Sequence, residues 1–324
     1  MNNAANPLEQ VSDKLMAYLR TELNNNNIVY DIPLTPIVGG YETFTYHFKL
    51  KGVQPELAKP LVLRLFQEYR SPGQAIGESA VQNALAAQGY PVPSVLFTGT
   101  DKRHLGGAFL IMEFLPGESM LAAAEEDMPL MLGKAHAALH NIDPTPLRKA
   151  LTVQGLDERD YRLNRRLNGL LTQSKIFPWL EESVQWLIEN RPPEPEYPAV
   201  CHGDFHPLNI LIKEGRVTAV LDWPGFMIGE AVMDVAFTVF LCSTIAGHLL
   251  PTRNWDEVMS KYLEAYQSER SLDMTNLNYY RVMRCIIAFV DGAEGQAVWT
   301  SPSVLKSLIG QVRDIAKIWV VLPG

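Results

Sequence analysis

The hydrophobic pattern changes once along this 324-residue chain, and that change constrains the fold more than any other feature. Up to about residue 113, apolar residues occur in short runs typical of strands, separated by Gly and Pro. After Pro116 they recur every three and four residues, which is the spacing of amphipathic helices. A single core usually stops growing near roughly 250–300 residues. The sequence therefore predicts two lobes, the first a small sheet and the second mainly helical.

The N-terminal lobe is predicted to span residues 1–113, with residues 1–33 as a helical extension. Three runs of strand-forming residues, TFTYHFKL, LVLRLF and FLIMEF, predict the strands of its sheet. A helical segment from about Gln74 to Gln88 interrupts them and is followed by a glycine and two prolines, which end helices. We therefore expect a small antiparallel sheet that carries one helix.

The C-terminal lobe is predicted to span residues 114–324 and to contain one hairpin among its helices. Two short strand-like runs, ILI and VTAVLDW, are separated by KEGR at residues 213–216, which has the composition of a hairpin turn. The most apolar stretch, Val235 to Gly247, is shorter than the ~20 residues that a membrane-spanning helix needs, so we predict a buried helix there. Helices are predicted at residues 121–140, 231–249, 255–267, 277–290 and 303–319, with two more between residues 157 and 190.

Composition and charge narrow the classes of partner. With 47% hydrophobic and 20% charged residues, the chain has the composition of an ordinary folded protein. Its net charge of -8 argues against nucleic acid or an anionic membrane surface as a partner, although a nucleotide needs only a local site. The three cysteines are scattered and predict neither a disulfide framework nor structural zinc, and the N-terminus lacks a secretory signal pattern. These features predict a cytoplasmic location.

The segment VCHGDFHPLNILI at residues 200–212 carries the pattern that predicts the chemistry. Asp204 and Asn209 have the separation of the Asp and Asn of a kinase catalytic loop, where Asp accepts the hydroxyl proton and Asn holds magnesium. Beyond the predicted hairpin, Asp222 ends an apolar strand, where kinases keep a second metal-binding Asp. Magnesium prefers oxygen ligands. We therefore expect Asn209 and Asp222 to bind magnesium and Asp204 to face the acceptor hydroxyl.

Each of these residues taken alone has a structural interpretation. Asp204 could form a turn and Asp222 could cap a strand, but their combination with Asn209 and the intervening hairpin makes chance a poor explanation. His136 and His140 lie one helical turn apart and could hold zinc, yet the Glu of the metalloprotease motif is missing. We therefore expect the two histidines to be core or surface residues.

The run HGDFHPLN at residues 202–209, followed by LDW at residues 221–223, resembles the signature of the aminoglycoside phosphotransferase and choline kinase superfamily. The resemblance covers most of the chain. It implies an α+β, bilobal protein-kinase-like fold, with a small antiparallel-sheet N-terminal lobe and a larger, mainly helical C-terminal lobe. It also implies that Asp234, five residues after Gly229, supports the loops from the start of a helix without taking part in catalysis.

The same resemblance implies a nucleotide site in the N-terminal lobe. Gly39-Gly40 would belong to the loop that covers the phosphates, where glycine permits close approach of the backbone. Arg64 would stand where the family usually has lysine and would contact the α- and β-phosphates, with Glu78 as its partner. Glu113 and Leu115 would hydrogen-bond the adenine through the main chain. Backbone contacts do not distinguish ATP from GTP, so both donors stay open.

The implied reaction is the magnesium-dependent transfer of the γ-phosphoryl group to a hydroxyl of a small molecule, which could be aminoglycoside-like, an amino alcohol or a sugar. Two sets of side chains could bind this acceptor, one acidic for an aminated sugar and one aromatic for a quaternary ammonium group. The acidic set is Glu118, Glu230, Asp291 and Glu294, and the aromatic set is Tyr279, Tyr280 and Trp299.

Two alternative functions stay open. One is a nucleotide-binding pseudokinase without turnover. The other is a kinase that acts on a protein, which is disfavoured because no long activation segment ending in Ala-Pro-Glu lies between Asp222 and Asp234. The sequence does not reveal the oligomeric state.

Overall fold

The computed structural model describes residues 7–37, 43–124, 126–250 and 252–322. The chain divides into two compact units, Met1–Pro116 and Gly117–Gly324. The first contains an antiparallel sheet and the second is mainly helical, so the α+β class predicted from the sequence is confirmed. None of the helices in the described residues is both long enough and apolar enough to cross a membrane.

The first unit is a five-stranded antiparallel sheet in the order β1-β2-β3-β5-β4. The three runs that predict strands form β2, β3 and β5. Residues 29–33 belong to β1, so the prediction that the helical extension reaches residue 33 is wrong; within the described residues the extension contains the single helix α1. The elements are α1 (Pro7–Glu22), β1 (Val29–Pro36), β2 (Thr43–Lys51), β3 (Pro60–Phe66), α2 (Pro72–Ala86), β4 (Val95–Gly99), α3 (Lys102–Leu105) and β5 (Phe109–Glu113).

The alternation of side chains along β3 explains where Arg64 points. Leu63 packs into a cluster that includes Leu15 and Leu19 of α1. Val62 and Phe66 belong to a second cluster, which includes Ala75 of α2. Because successive side chains of a strand point to opposite faces, Arg64 lies on the face shared by Val62 and Phe66. This places the arginine on the side of the sheet that carries α2.

The second unit consists of helices with two small sheets, β7-β10 and β6-β8-β9. Helix α4 begins six residues later than predicted, because residues 120–122 form only one 3-10 turn, which ends at the extended residue Ala123 (ψ 154°). The elements are β6 (Glu118–Ser119), α4 (Asp127–His140), α5 (Thr145–Val153), α6 (Leu163–Ile176), α7 (Glu181–Glu189), β7 (Ala199–Cys201), β8 (Ile210–Lys213), β9 (Arg216–Val220), β10 (Met227–Gly229), α8 (Ala231–Phe240), α9 (Gly247–Leu249), α10 (Trp255–Glu269), α11 (Leu277–Ala293) and α12 (Pro302–Ala316).

The predicted hairpin is present as β8 and β9. Glu214 and Gly215 in its turn have φ angles of +52° and +71°, the left-handed conformation that a two-residue hairpin turn requires. A π-helical turn at Leu241–Ala246 connects α8 to α9, so the helix predicted at residues 231–249 continues with altered winding.

Helices α4 and α10 pack with their backbones close together. A Cβ atom on Gly133 of α4 would collide with the Tyr262 carbonyl and the Ala265 side chain of α10. Glycine therefore permits this approach, which brings the polar side chains of the two helices within hydrogen-bonding distance.

Candidate active site

Two loops of the second unit lie against each other through glycines. Strand β7, which leads into the loop of residues 202–209, pairs with β10, and Cys201 lies opposite Met227. Gly203 has a φ of +83°, and a Cβ atom there would collide with the Gly225 carbonyl. Both the backbone conformation and the space available therefore require glycine at position 203. The loop that carries Asp204 is thus held beside the loop that follows Asp222.

Asp204 and Asn209 are in contact, as the sequence predicts. The Nδ2 atom of Asn209 donates to the Asp204 carbonyl at 3.0 Å and to its Oδ2 at 3.2 Å. The Nε2 atom of His206 lies 3.3 Å from the same Oδ2 atom. Because Nδ2 is committed to Asp204, the Oδ1 atom of Asn209 is the end of the amide that can coordinate a cation.

The Asp204 carboxyl group is ionised at neutral pH. Burial acts to raise the pKa of Asp204, but the hydrogen bond and charge of His206, together with the charge of Arg284, outweigh this effect and lower the pKa to about 2. Such a carboxylate is a weak base toward an alcohol in its ground state. Its geometry suits orienting a hydroxyl and accepting the proton as negative charge develops on the oxygen.

Asp222 follows a residue whose backbone is fixed on both sides. Leu221 donates its N–H to the Asn209 carbonyl at 2.8 Å, and its own carbonyl lies 2.9 Å from His202 Nε2. Asp222 itself has a φ of +68°, a left-handed conformation that costs roughly 1–2 kcal/mol for a residue with a Cβ atom. The structure therefore joins the segments that carry Asp204, Asn209 and Asp222.

A fully buried carboxylate, Asp234 near the start of α8, holds the backbone of the catalytic loop. Its Oδ2 atom accepts the His202 N–H at 2.5 Å, and its Oδ1 atom accepts the Gly203 N–H at 2.8 Å. The Nε2 atoms of His136 and His140 lie 3.1 and 3.3 Å from Oδ2. Burial raises the pKa of Asp234, but the charges and hydrogen bonds of the two histidines more than offset it, so the pKa is well below its usual value.

The two histidines connect Asp234 to helix α10. The Nδ1 atom of His136 lies 2.8 Å from the Tyr262 hydroxyl, and that of His140 lies 2.7 Å from the Tyr266 hydroxyl. Burial lowers the pKa of His136 to about 4 and also lowers the pKa of His140, so both rings are neutral at pH 7. With Asp234 ionised, each Nε2 carries the proton and each Nδ1 accepts from a tyrosine.

This network is not among the features predicted above, although the sequence contains two signals of it. His136 and His140 are four residues apart, and so are Tyr262 and Tyr266, which is the spacing of facing positions on two packed helices. The ligand atoms of His136, His140 and Asp234 also lie within 4.8 Å of one another, as in a metal site. Every ring nitrogen has a protein hydrogen-bond partner, however, and we interpret the group as a structural network.

In the first unit, Arg64 and Glu78 form the predicted ion pair. The Nη1 atom of Arg64 lies 2.8 Å from Glu78 Oε2, and both side chains are buried. The Nε atom of Arg64 donates to Thr43 Oγ1 at 3.2 Å, and Gln74 Nε2 donates to Glu78 Oε1 at 3.2 Å. Gly39-Gly40, predicted to cover the phosphates, lies outside the described residues.

The residues predicted to contact adenine lie at the end of the sheet. Glu113 ends β5, and its N–H donates to the Ser94 carbonyl at 3.0 Å. That N–H is therefore not a donor for a ligand, and the carbonyl of Glu113 is the group that could serve. Leu115 follows two residues later and is half-buried. Adenine binding by Glu113 and Leu115 stays a prediction.

The aromatic cage predicted for the acceptor is wrong. Tyr279, Tyr280 and Trp299 are buried core residues, each at most 6% exposed. The Tyr280 hydroxyl donates to Glu230 at 2.8 Å, which also commits that member of the acidic set to an internal contact. The guanidinium group of Arg284 covers the face of Trp299 at 4.7 Å from the ring centre. These side chains therefore pack and hydrogen-bond within the protein and do not form a cage for a ligand.

Comparisons with known proteins agree with this geometry. The family model described as "Phosphotransferase enzyme family" matches residues 33–278. Over 197 residues the chain is 28% identical to the aminoglycoside 3'-phosphotransferase of Streptomyces fradiae, and the match covers 56% of this chain and 69% of that protein. It is 30% identical over 174 residues to acyl-CoA dehydrogenase family member 11 of Gallus gallus, which covers 49% of this chain but only 22% of that protein. The chain thus matches about a fifth of the length of this longer relative.

Solved structures share the fold. Aminoglycoside phosphotransferase APH(4)-Ia superimposes with a TM-score of 0.61 at 18% identity, covering 94% of this chain and 98% of that one. A variant of the same enzyme has been solved in a ternary complex with ADP and hygromycin B. Macrolide 2'-phosphotransferase MphH of Brachybacterium faecium gives a TM-score of 0.56 at 18% identity, covering 92% and 97% of the two chains. The kinase-like fold expected from the sequence motifs is therefore confirmed.

Proposed function

Because the chain belongs to the phosphotransferase enzyme family, we propose that it transfers the γ-phosphoryl group of ATP or GTP to a hydroxyl group of a small molecule. The main support is the contact between Asp204 and Asn209 within the loop that Asp234 holds in place. An ionised carboxylate beside an amide oxygen, with a further carboxylate on the adjoining loop, is the arrangement that this reaction requires.

The residues present fit a magnesium ion. Asn209 Oδ1 and the Asp222 carboxylate are oxygen donors, which magnesium prefers over nitrogen and sulfur. When bound, the ion supplies positive charge that offsets the charge on the phosphate oxygens. The hydrogen bonds from Asn209 Nδ2 to Asp204 fix the direction of Oδ1, so the amide is oriented before any ion arrives.

Asp204 and Arg64 have separate roles in the proposal. Asp204 holds the acceptor hydroxyl and takes its proton late in the transfer, because its low pKa makes it unsuited to early deprotonation. Arg64 presents a guanidinium group that Glu78 holds in one orientation, and it would contact phosphate oxygens of the nucleotide. Arg64 thereby replaces the lysine usual in the family.

Replacement of Asp204 by Asn tests the proposal. Purified protein is incubated with radiolabelled ATP, Mg²⁺ and a panel of alcohols, sugars and amino alcohols, and nucleotide binding is measured separately by calorimetry. We expect Asp204→Asn to bind Mg-AMP-PNP normally and to lose phosphoryl transfer by about 10²- to 10⁴-fold. Asp160→Asn, an exposed aspartate outside both loops, is the matched control. Transfer that persists in Asp204→Asn, or a panel without any product, contradicts the proposal.

The two alternative functions give different outcomes in the same experiment. A pseudokinase would bind nucleotide and form no product with any acceptor. A kinase acting on proteins would phosphorylate a protein substrate and no small molecule. Against the latter, the residues between Asp222 and Asp234 hold the short strand β10 and the first turn of α8, so there is no room for a long activation segment.

A further inference from the structure

Two arginines of the second unit lie over one aromatic ring of helix α8. The guanidinium carbon of Arg166, on α6, is 5.7 Å from the centre of the Phe237 ring, and that of Arg284, on α11, is 5.8 Å from the same centre. Arg284 also lies 5.4 Å from the Phe240 ring and 4.7 Å from that of Trp299. An aromatic face attracts the positive charge of a guanidinium group. The N–H groups, however, point outward in the plane of the guanidinium, where the aromatic ring offers no hydrogen-bond acceptor. The rings therefore hold the arginines without satisfying their N–H groups.

This arginine pair adjoins the catalytic loop. The Nη2 atom of Arg166 donates to the Gly225 carbonyl at 3.1 Å, and Gly225 packs against Gly203, the residue before Asp204. On the other side, Thr238 follows Phe237 in α8, and its hydroxyl donates to the carbonyl of Phe205, the residue after Asp204, at 2.8 Å. Gly203, before Asp204, thus contacts the residue that Arg166 binds. Phe205, after Asp204, is bonded to α8, the helix whose Phe237 ring lies under both arginines.

The positive charge of the pair is only partly compensated. Arg284 Nη1 is 3.6 Å from Asp291 Oδ2, too far for a hydrogen bond, and it is buried without a hydrogen-bond partner among the described residues. The Arg284 side chain is only 8% exposed. Within the described part of the chain, Arg166 has no carboxylate within 4 Å. Among the described residues, Asp291 is therefore the one carboxylate within 4 Å of either guanidinium group.

A buried cation without full hydrogen bonding is costly, so a partner is expected from outside the chain. A carboxylate or phosphate group fits a guanidinium best, because its two oxygens can accept parallel N–H bonds. A cationic amino sugar would be repelled by the same pair. The buried aromatic residues and the committed carboxylate of Glu230 likewise provide no cage for an ammonium group.

We propose that Arg284, together with Arg166, binds an anionic group of the acceptor, so that the molecule phosphorylated is a hydroxylated carboxylate or phosphate. The inference rests on the proposed function, because it names the acceptor class of that reaction. Arg284 is then a specificity-determining residue, and Asp291 orients it from the exposed end of the helix.

The test compares matched acceptors that differ in charge. Phosphoryl transfer from Mg-ATP is measured with glycerate and gluconate as carboxylates, glycerol 3-phosphate as a phosphate, glycerol and sorbitol as neutral analogues, and ethanolamine and kanamycin as cations. Each acceptor is tested with wild type, Arg284→Met, Arg284→Lys and Arg166→Met. Methionine keeps the apolar stem on the aromatic rings and removes the charge. Arg281→Met on the same helix is the control, since the Arg281 guanidinium group hydrogen-bonds Gln311 of α12, away from the catalytic loop.

The inference predicts transfer to the anionic acceptors above their neutral analogues. Arg284→Met should lower kcat/KM for the anion by about 10- to 100-fold, the size of one charge-assisted pair of hydrogen bonds, and Arg281→Met should leave it unchanged. Arg284→Lys should recover part of the loss. The carboxylate and phosphate arms show which anion is bound. If Arg284→Met does not fold, Arg166→Met decides by the same criterion.

Two kinds of failure can be told apart. Transfer confined to neutral or cationic acceptors, or an equal loss for charged and neutral acceptors in Arg284→Met, overturns the anion site and leaves the proposed function intact. A complete lack of products overturns the proposed function, and the anion site is then decided by thermal shift with glycerate and Mg-AMP-PNP. A rise in Tm that Arg284→Met abolishes supports the site. An equal rise in both proteins, or none in wild type, overturns it.

Discussion

Replacing Asp234 by Asn tests how the catalytic loop is held. The carboxylate accepts from the N–H groups of His202 and Gly203 and from the rings of His136 and His140. Asn keeps the shape, but its NH₂ group meets a donor in either orientation. If the NH₂ group takes the position of Oδ1, it faces the Gly203 N–H. If it takes the position of Oδ2, the two histidine rings can change tautomer and accept from it, but the His202 N–H cannot. One backbone amide of the loop is therefore left without an acceptor.

The expected loss of stability follows from the one backbone amide that loses its acceptor. One buried donor without an acceptor costs about 1–3 kcal/mol, and hydrogen bonds to a charged acceptor are worth roughly 1 kcal/mol more than neutral ones. We therefore expect Asp234→Asn to lower the free energy of unfolding by about 2–4 kcal/mol. The displaced amide lies within two residues of Asp204, and a misplacement of about 1 Å in an active site can lower the rate about 100-fold. The variant should therefore lose both stability and kcat.

Urea unfolding followed by tryptophan fluorescence measures the first effect, since the chain has 6 tryptophans. Steady-state transfer at saturating acceptor measures the second. Asp160→Asn again serves as the control, because this exposed aspartate pairs with Arg165, which lies outside both loops. A change in unfolding free energy below about 0.5 kcal/mol in Asp234→Asn, the range of ordinary surface substitutions, would refute the argument that Asp234 anchors the loop.

Three further predictions follow from the other contacts. Asp222→Asn should remove the dependence of AMP-PNP affinity on Mg²⁺ concentration in calorimetry; an unchanged dependence would exclude Asp222 as a ligand. Glu78→Gln leaves the buried charge of Arg64 without its carboxylate and should cost about 3 kcal/mol in urea unfolding, so a loss near zero contradicts the ion pair. The pKa of His136 is lowered from 6.5 to about 4, so the unfolded chain binds a proton that the folded chain excludes between these pH values. Stability should fall by about 3 kcal/mol from pH 7 to pH 4, and His136→Gln should flatten that dependence.

The sheet of the first unit was predictable because its signals are local. Strands β2, β3 and β5 each consist of a run of strand-forming residues bounded by turn residues, and the hairpin turn at Glu214 and Gly215 follows from its composition. The start of α4 was not predictable in the same way. Apolar spacing continues from Leu121 into the helix, but the spacing reports which residues are buried, and a capped 3-10 turn buries Met120 equally well.

The contact between Asp204 and Asn209 follows from motif spacing, because the two residues are close in sequence, and the support of the loop by Asp234 follows from the family resemblance. The contacts of Asp234 with the histidines of α4, and through them with the tyrosines of α10, do not follow from motif spacing. His136 is 98 residues from Asp234 and 126 residues from Tyr262, and helical periodicity shows which face is buried without showing which helix it meets.

The prediction of an aromatic cage for the acceptor is wrong for a related reason. Residue chemistry alone does not show which side chains are buried, and the Tyr280 hydroxyl donates to Glu230 inside the protein. Arg284 lies within the apolar run of α11, and a charged residue in such a run indicates an unusual buried position. That its Nη1 atom has no hydrogen-bond partner among the described residues is visible only in the structure.

The position of Asp234 has a consequence for how such a protein can change over evolutionary time. The side chains that hold the backbone of the catalytic loop through Asp234 belong to α4, α8 and α10, whereas Arg284, the main proposed contact of the acceptor, belongs to α11. Substitutions that recruit a new acceptor can therefore accumulate on α11 while the reacting carboxylate keeps its place. A protein built in this way can change its acceptor specificity while the catalytic loop keeps its position.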